Sequence, residues 1–214
     1  MDDTLWRQLE LAGIGLTAGI FVILPKPPAA TLPIAIFIPA CVGLWSLYAA
    51  ARVRAQRRLL ERWGLRPNVH LRPLVAILAP LLGGLVLLGL GLAWVLGRSL
   101  LPPYLWLSLL LYPLWGLIQQ WLVQALFVDN VRALAGASTL WLLGLGAIGF
   151  GAIHLAHPPL VVATALMGGV YVALFQRWRN LWPLACCHGW LGSLFYPWVL
   201  GINPAEQLVE LLCP

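Results

Sequence analysis

Charged residues are scarce in this chain of 214 residues. Only 9% of the residues are charged, whereas 61% are hydrophobic. Because about 25% of the residues in a soluble domain are charged, this composition excludes that class. We therefore expect an integral membrane protein. The length allows roughly six to eight membrane-spanning helices of about 20 residues each.

Carboxylates are absent from the interior of the long apolar runs. The acidic residues all fall in predicted termini or connections: Asp2, Asp3, Glu10, Glu61, Asp129, Glu206 and Glu210. Chemistry within the membrane is thus expected to proceed without an embedded Asp or Glu, unless Asp129 reaches inward from a helix end.

Two further classes of protein are excluded by what the sequence lacks. The four cysteines show no metal-finger spacing, so a structural zinc domain is not expected. The basic residues form no nucleic-acid-binding motif and are not interleaved with aromatic residues, so no nucleic acid partner is expected. The net charge of +6 instead reflects arginines concentrated in the connection 52–72.

The apolar runs predict an all-α, polytopic transmembrane bundle of about seven spans. These runs cover residues 9–25, 30–51, 73–97, 104–127, 138–156, 159–175 and 181–200. Because positively charged loops stay on the cytoplasmic side, the N-terminus and the 52–72 loop are expected in the cytoplasm, as in a protein of a bacterial-type inner (plasma) membrane. Lys26 and Arg98 then fall on the opposite side.

Three regions are expected along the chain. Residues 1–100 supply N-terminal spans and the arginine-rich loop, residues 101–200 form a core, and residues 201–214 form an interfacial tail. Glycines in the core predict close helix approach, because small residues let membrane helices touch. These glycines are Gly144, Gly146, Gly149, Gly151, Gly168 and Gly169.

A few strongly polar side chains interrupt the apolar core. They are Gln119, Gln120, Gln124, His154 and His188. A single Gln or His in a membrane bundle often only links helices, contributing about 0.6 kcal/mol. Several such groups on three helices indicate a functional site, because polar groups are costly in a bilayer. Phe150, four residues before His154, is expected to flank that imidazole, and His157 is expected at the membrane surface.

Three short motifs carry a resemblance to a known family. They read Gln119-Gln120-Trp-Leu-Val-Gln124, Phe150-Gly-Ala-Ile-His154 and His188-Gly-Trp-Leu-Gly192. Their order and spacing resemble those of the type II CAAX prenyl endopeptidases and Abi (CPBP) intramembrane proteases. That family carries Glu-Glu-x-x-x-Arg, Phe-x-x-x-His and His-x-x-x-Asn. The resemblance implies a CPBP-protease-like core in the last four spans and places the site residues at these positions.

The departures from the family pattern change the expected chemistry. The resemblance implies a Glu that activates water at position 119, with His154, His188 and an Asn stabilising an oxyanion or holding a metal. Here Gln119 and Gln120 replace both Glu residues, Gln124 replaces the Arg, and Gly192 replaces the Asn. A carboxamide forms hydrogen bonds but cannot accept the proton of water, so the general base is lost.

A metal does not obviously restore the lost base. A catalytic zinc site normally has three protein ligands, often including a carboxylate or thiolate. His154 and His188 alone form an incomplete, uncharged set. Tightly bound zinc and other cofactors are therefore not expected, although these two residues would be the ligands of any metal.

Three functions remain open from the sequence. The leading hypothesis is a pseudoenzyme, a hydrolase-like protein that binds a lipidated or peptide segment, or a membrane-protein partner, without cutting it. The second is an active endopeptidase that uses His154 or His188 as the base, with or without metal. The third is a tetrapyrrole- or pigment-binding subunit, since His and Gln can ligate such groups. The lipid bilayer is the one partner expected in every case.

Overall fold

The computed structural model describes residues 3–24, 32–67 and 69–213, and these residues form an all-helical structure without strands. The helices are α1 (Asp3–Ile23), α2 (Leu32–Ala55), α3 (Leu59–Arg62), α4 (Leu71–Val95), α5 (Leu105–Gln120), α6 (Asp129–Ala135), α7 (Thr139–Ala152), α8 (Pro158–Trp178), α9 (Leu181–Phe195) and α10 (Pro204–Leu212). Two π-helical segments, π1 (Trp121–Val128) and π2 (Tyr196–Leu200), directly follow α5 and α9.

Each of the seven predicted apolar runs contains a helix. Three helices in the described part of the chain, α2, α4 and α8, are long and apolar enough to cross a membrane, and α7 is a shorter apolar helix. Seven crossings therefore stay a prediction. Lys26, expected opposite the arginine-rich loop, lies outside the described residues.

Glycines bring α5 and α9 into direct backbone contact. A Cβ added to Gly116 would lie 2.7 Å from the carbonyl oxygen of Ala185, and one added to Gly189 would lie 2.5 Å from the backbone nitrogen of Pro113. Such small residues allow close helix approach without a hydrophobic driving force. The contact places the glutamines at the end of α5 beside the middle of α9.

The helices α7 and α8 approach in the same way. A Cβ on Gly168 would lie 2.6 Å from the carbonyl oxygen of Gly146, and Gly151 lies close to Val161 and Ala165. The predicted close helix approach is confirmed at Gly146, Gly151 and Gly168. It is wrong for Gly144 and Gly149, where an added Cβ would have no atom of another element within 4 Å.

The N-terminal helices pack on the core through aromatic side chains. Trp63, just after α3, lies 5.1 Å from Trp121 between ring centroids, and Trp45 and Tyr48 of α2 lie 5.8 and 6.2 Å from the same ring. Trp63 and Trp121 are buried. The arginine-rich connection thus contains a packed helix, although the three-region division itself stays a prediction.

Arginines from distant parts of the sequence gather at one end of the bundle. Arg7 and Arg62 both contact Asp3 and Asn130, and Arg179 donates a hydrogen bond to the backbone carbonyl of Arg62. Arg98 follows α4, whose 25 residues span about 37 Å, and therefore lies at the other end. The side of the membrane that each end faces stays a prediction.

Candidate functional site

One cavity of about 480 Å³ collects the polar side chains of the core. Gln119 of α5, His154 after α7 and His188 of α9 all line it, together with Phe150 and Gly192. The glycine contacts described above join α5 to α9 and α7 to α8, and the ring of Phe150 on α7 contacts that of His188 on α9. The structure thus places five of the seven predicted positions on one surface.

Asn180 fixes the start of the helix that carries His188. The side-chain oxygen of Asn180 accepts a hydrogen bond from the backbone N–H of Trp182, which caps α9. Its Nδ2 donates to the backbone carbonyls of Pro67 and Val69 at 3.0 and 2.6 Å. Asn180 is fully buried, so these bonds tie α9 to the arginine-rich connection.

Gln120 holds the imidazole of His188. Its Nε2 lies 3.1 Å from His188 Nδ1, and its Oε1 accepts a hydrogen bond of 3.4 Å from Gln124 Nε2. With the Gln120 amide in this orientation its nitrogen is the donor, so Nδ1 of His188 is the acceptor. In the neutral ring the proton is then on Nε2. Gln120 is fully buried and acts from behind the cavity wall.

Gln124 lies deeper than the sequence predicts. It belongs to π1, is fully buried and does not line the cavity. Its Oε1 has no hydrogen-bond partner among the described residues. π-helical turns are rare and often occur at functional sites. Here π1 begins one residue after Gln120, and Gln124 within it contacts the Gln120 side chain.

His154 is oriented by a backbone carbonyl. Its Nδ1 lies 2.8 Å from the carbonyl oxygen of Phe150, which can only accept, so Nδ1 carries the proton. The basic nitrogen is then Nε2. The hydroxyl of Thr164 lies 3.1 Å from the same carbonyl oxygen and 2.7 Å from that of Leu160. Phe150 therefore contacts His154 through its backbone carbonyl.

Aromatic rings form the wall beside His188. The ring centroids of Phe150 and Tyr171 lie 5.5 and 6.1 Å from that of His188, and Phe150 and Tyr171 are both buried. The ring of Phe150, which the motif was expected to place against His154, contacts His188. Phe150 of α7 and Tyr171 of α8 thus restrict the imidazole of His188 on α9.

Gly192 leaves room for a tyrosine ring. A Cβ at this position would lie 3.3 Å from Cδ1 and 3.4 Å from Cε1 of Tyr112, which also lines the cavity. The larger Asn that the family resemblance implies would require this ring to move. The substitution at position 192 is therefore accompanied by a different filling of the site.

Sequence reasoning missed several cavity residues. His157 was expected at the surface, but it lines the cavity, and its ring lies 6.4 Å from that of Tyr196. Its position three residues after His154 was the available signal. The C-terminal region also contributes, because Pro204 and Gln207 of α10 line the cavity.

The buried carboxylates lie away from the cavity. The expectation that every acid falls in a terminus or connection is wrong for Glu10, which lies within α1 and is only 3% exposed. Tyr48 and Asn130 each donate a hydrogen bond of 2.6 Å to it, which compensates its burial. Asp129, the first residue of α6, forms an ion pair with Arg179 and accepts a hydrogen bond from Gln176. It therefore does not reach the cavity.

No Asp, Glu, Lys or Arg side chain lines the cavity in the described part of the chain. Nor do three or more His, Cys, Asp or Glu side chains come together there as a metal-binding group. A metal-bound His usually donates its second nitrogen to an oxygen acceptor. His154 satisfies this pattern, but His188 accepts at Nδ1 and does not. The donor set therefore does not fit the metal that the family resemblance implies.

Comparison with known proteins agrees with the motif analysis. The apolar helices and this comparison together define an integral membrane protein. Residues 100–194 match the family model described as type II CAAX prenyl endopeptidase Rce1-like. The family recognised from the three motifs is thus confirmed over this segment, which contains every motif position. No curated protein and no solved structure matches the chain.

Proposed function

We propose that this protein binds a membrane-embedded ligand in the cavity and does not hydrolyse peptide bonds. The observation that carries the proposal is the chemistry of the lining, which contains Gln119 and the imidazoles of His154, His157 and His188 but no carboxylate among the described residues. Peptide hydrolysis needs a group that takes a proton from water, and a carboxamide cannot do so. Gly192, where the family resemblance implies an Asn, has no side chain that could stabilise an oxyanion or hold a metal, and this absence supports the same conclusion.

The shape and lining of the cavity support binding. Its volume of about 480 Å³ lies in the range typical of small-molecule sites, which are mostly apolar with a few polar groups. Leu88 of α4 and Val162 and Leu166 of α8 also line it and are 59%, 62% and 69% exposed. In a membrane these apolar side chains contact lipid, so a ligand enters laterally between α4 and α8.

A cleavage assay tests the proposal. The purified protein in nanodiscs is incubated with a farnesylated CAAX-type peptide, and the products are identified by mass spectrometry. The expected result is no fragment beyond the amount formed by a His154→Ala/His188→Ala variant. A fragment that the unaltered protein forms and this double variant does not would contradict the proposal.

A histidine-dependent endopeptidase is the second candidate. The observation that favours it is the hydrogen bond from His154 Nδ1 to the Phe150 carbonyl, which leaves Nε2 as a basic nitrogen. A backbone carbonyl then replaces the carboxylate that orients the histidine in serine proteases. Cleavage whose rate rises with pH through the range of imidazole titration, and which His154→Ala abolishes, would establish this candidate.

A further inference from the structure

Two of the three imidazoles that line the cavity, those of His154 and His188, differ in which nitrogen carries the proton. His188 receives a hydrogen bond at Nδ1 from the amide of Gln120, so its proton is on Nε2. His154 donates from Nδ1 to the Phe150 carbonyl, so its lone pair is on Nε2. Both rings line the same cavity. The site therefore combines one ring N–H donor and one ring nitrogen acceptor without a formal charge.

The identity of residue 120 determines this pattern. A carboxylate at position 120 would accept a hydrogen bond from Nδ1–H of His188 and leave Nε2 as an acceptor. The amide of Gln120 donates instead, and its oxygen is engaged by Gln124 at 3.4 Å. The replacement of Glu by Gln thus reverses the tautomer of His188 and turns a cavity acceptor into a donor.

The rest of the lining restricts the ligand further. No Asp, Glu, Lys or Arg of the described residues lines the cavity. A charged headgroup would therefore be buried without a counter-ion, which is costly in an apolar environment. The lining includes exposed leucine and valine side chains of α4 and α8, which would contact lipid in a membrane. An apolar chain that arrives from the bilayer with a neutral polar end fits these conditions.

We propose that the cavity binds a lipid-phase alcohol, whose hydroxyl accepts a hydrogen bond from His188 Nε2–H and donates one to His154 Nε2. A hydroxyl has one donor and can accept, so it matches both nitrogens. Gln120 is a positioning residue, because it acts on the ligand only through the tautomer of His188. This inference rests on the proposed function and names the ligand class of that cavity.

The tautomer is measured by ¹⁵N NMR of histidine-labelled protein, with the His188 signals assigned by their loss in His188→Asn. The expected result is a proton on Nε2 in the unaltered protein and on Nδ1 in Gln120→Glu. Gln56→Glu introduces the same change at an exposed position outside the cavity and should leave the His188 signals unchanged. A proton on Nδ1 of His188 in the unaltered protein would overturn the inference.

Binding is measured by native mass spectrometry at pH 8.5 with hexadecan-1-ol, hexadecylamine and hexadecanoate, which share one chain length. At this pH the amine and the acid are charged. The alcohol should bind at least about tenfold more tightly than either ion, because only it avoids a buried charge. Ala163→Phe, which fills the cavity, should weaken alcohol binding about tenfold, and Gln120→Glu should remove the preference for the alcohol.

The inference would be overturned if either ion bound as tightly as the alcohol or more tightly. It would also be overturned if the alcohol did not bind, or if Ala163→Phe did not weaken its binding. These outcomes are distinct from a failure of the proposed function. Peptide cleavage by the unaltered protein would refute the non-hydrolytic proposal and leave the measured tautomer unaffected. A proton on His188 Nδ1 together with absent cleavage would refute only the inferred ligand.

Discussion

Gly116 of α5 lies directly against the backbone of Ala185 in α9, so that an added Cβ would lie 2.7 Å from the Ala185 carbonyl oxygen. This contact lies one turn before Gln120 and one turn before His188 in their respective helices. The separation of α5 and α9 at this point therefore determines whether the amide can reach the imidazole.

Gly116→Ala should lower the free energy of unfolding by about 1–3 kcal/mol, because a rigid backbone group must move to admit the new methyl group. Gly91→Ala in α4 is the matched control, since nothing of another element lies within 4 Å of its Cβ position. Thermal unfolding in one detergent compares the two variants. A Gly116→Ala protein as stable as the control would contradict the close contact between α5 and α9.

Glu10 links α1 to α2 and α6 through a buried carboxylate. Glu10→Ala should destabilise the protein by about 1–3 kcal/mol, because Tyr48 and Asn130 lose the acceptor of their 2.6 Å hydrogen bonds. The control is Glu61→Ala, whose ion pair with Arg66 is solvent-exposed and should contribute at most about 1 kcal/mol. Equal unfolding temperatures for the two variants would show that Glu10 is not buried as described.

Gln124 should contribute less to stability than its burial suggests. Gln124→Met removes the buried Oε1, which has no hydrogen-bond partner among the described residues, and this loss stabilises the protein. It also removes the 3.4 Å hydrogen bond from Gln124 Nε2 to Gln120, and that loss destabilises it. These effects oppose each other, so the change should stay within about 1 kcal/mol. Gln120→Met, which leaves Nδ1 of His188 without its donor, should cost more. The reverse order in thermal unfolding would assign Gln124 a structural role that its contacts do not explain.

Arg179 adopts a left-handed backbone conformation with φ of 49° at the end of α8. Both Arg179→Ala and Arg179→Gly remove the ion pair with Asp129, but only glycine relieves the backbone strain. Arg179→Gly should therefore be more stable than Arg179→Ala by about 1 kcal/mol. At Arg177, in the last turn of α8, the order should reverse, because alanine favours the helical conformation more than glycine does. The same stability order at both positions would contradict the assigned φ.

The sequence predicted the helices well because apolar runs in a bilayer have few alternatives. Each predicted run contains a helix, since a backbone in lipid must satisfy its own hydrogen bonds. Gln119, His154 and His188, which the motif spacing singled out, line one cavity in the structure. The depth of Gln124, the cavity position of His157 and the burial of Glu10 were not predicted, because each depends on the packing between helices.

Composition alone determined that the chain is apolar and helical, and the motifs alone showed that amides replace acids. Those properties are local, because they depend on residue type and spacing along one helix. Only the tertiary structure decided that Gln120 contacts His188 while Gln119 lines the cavity, although the two residues are adjacent. Their side chains leave α5 in different directions, and the glycine contact between α5 and α9 determines which one meets the imidazole.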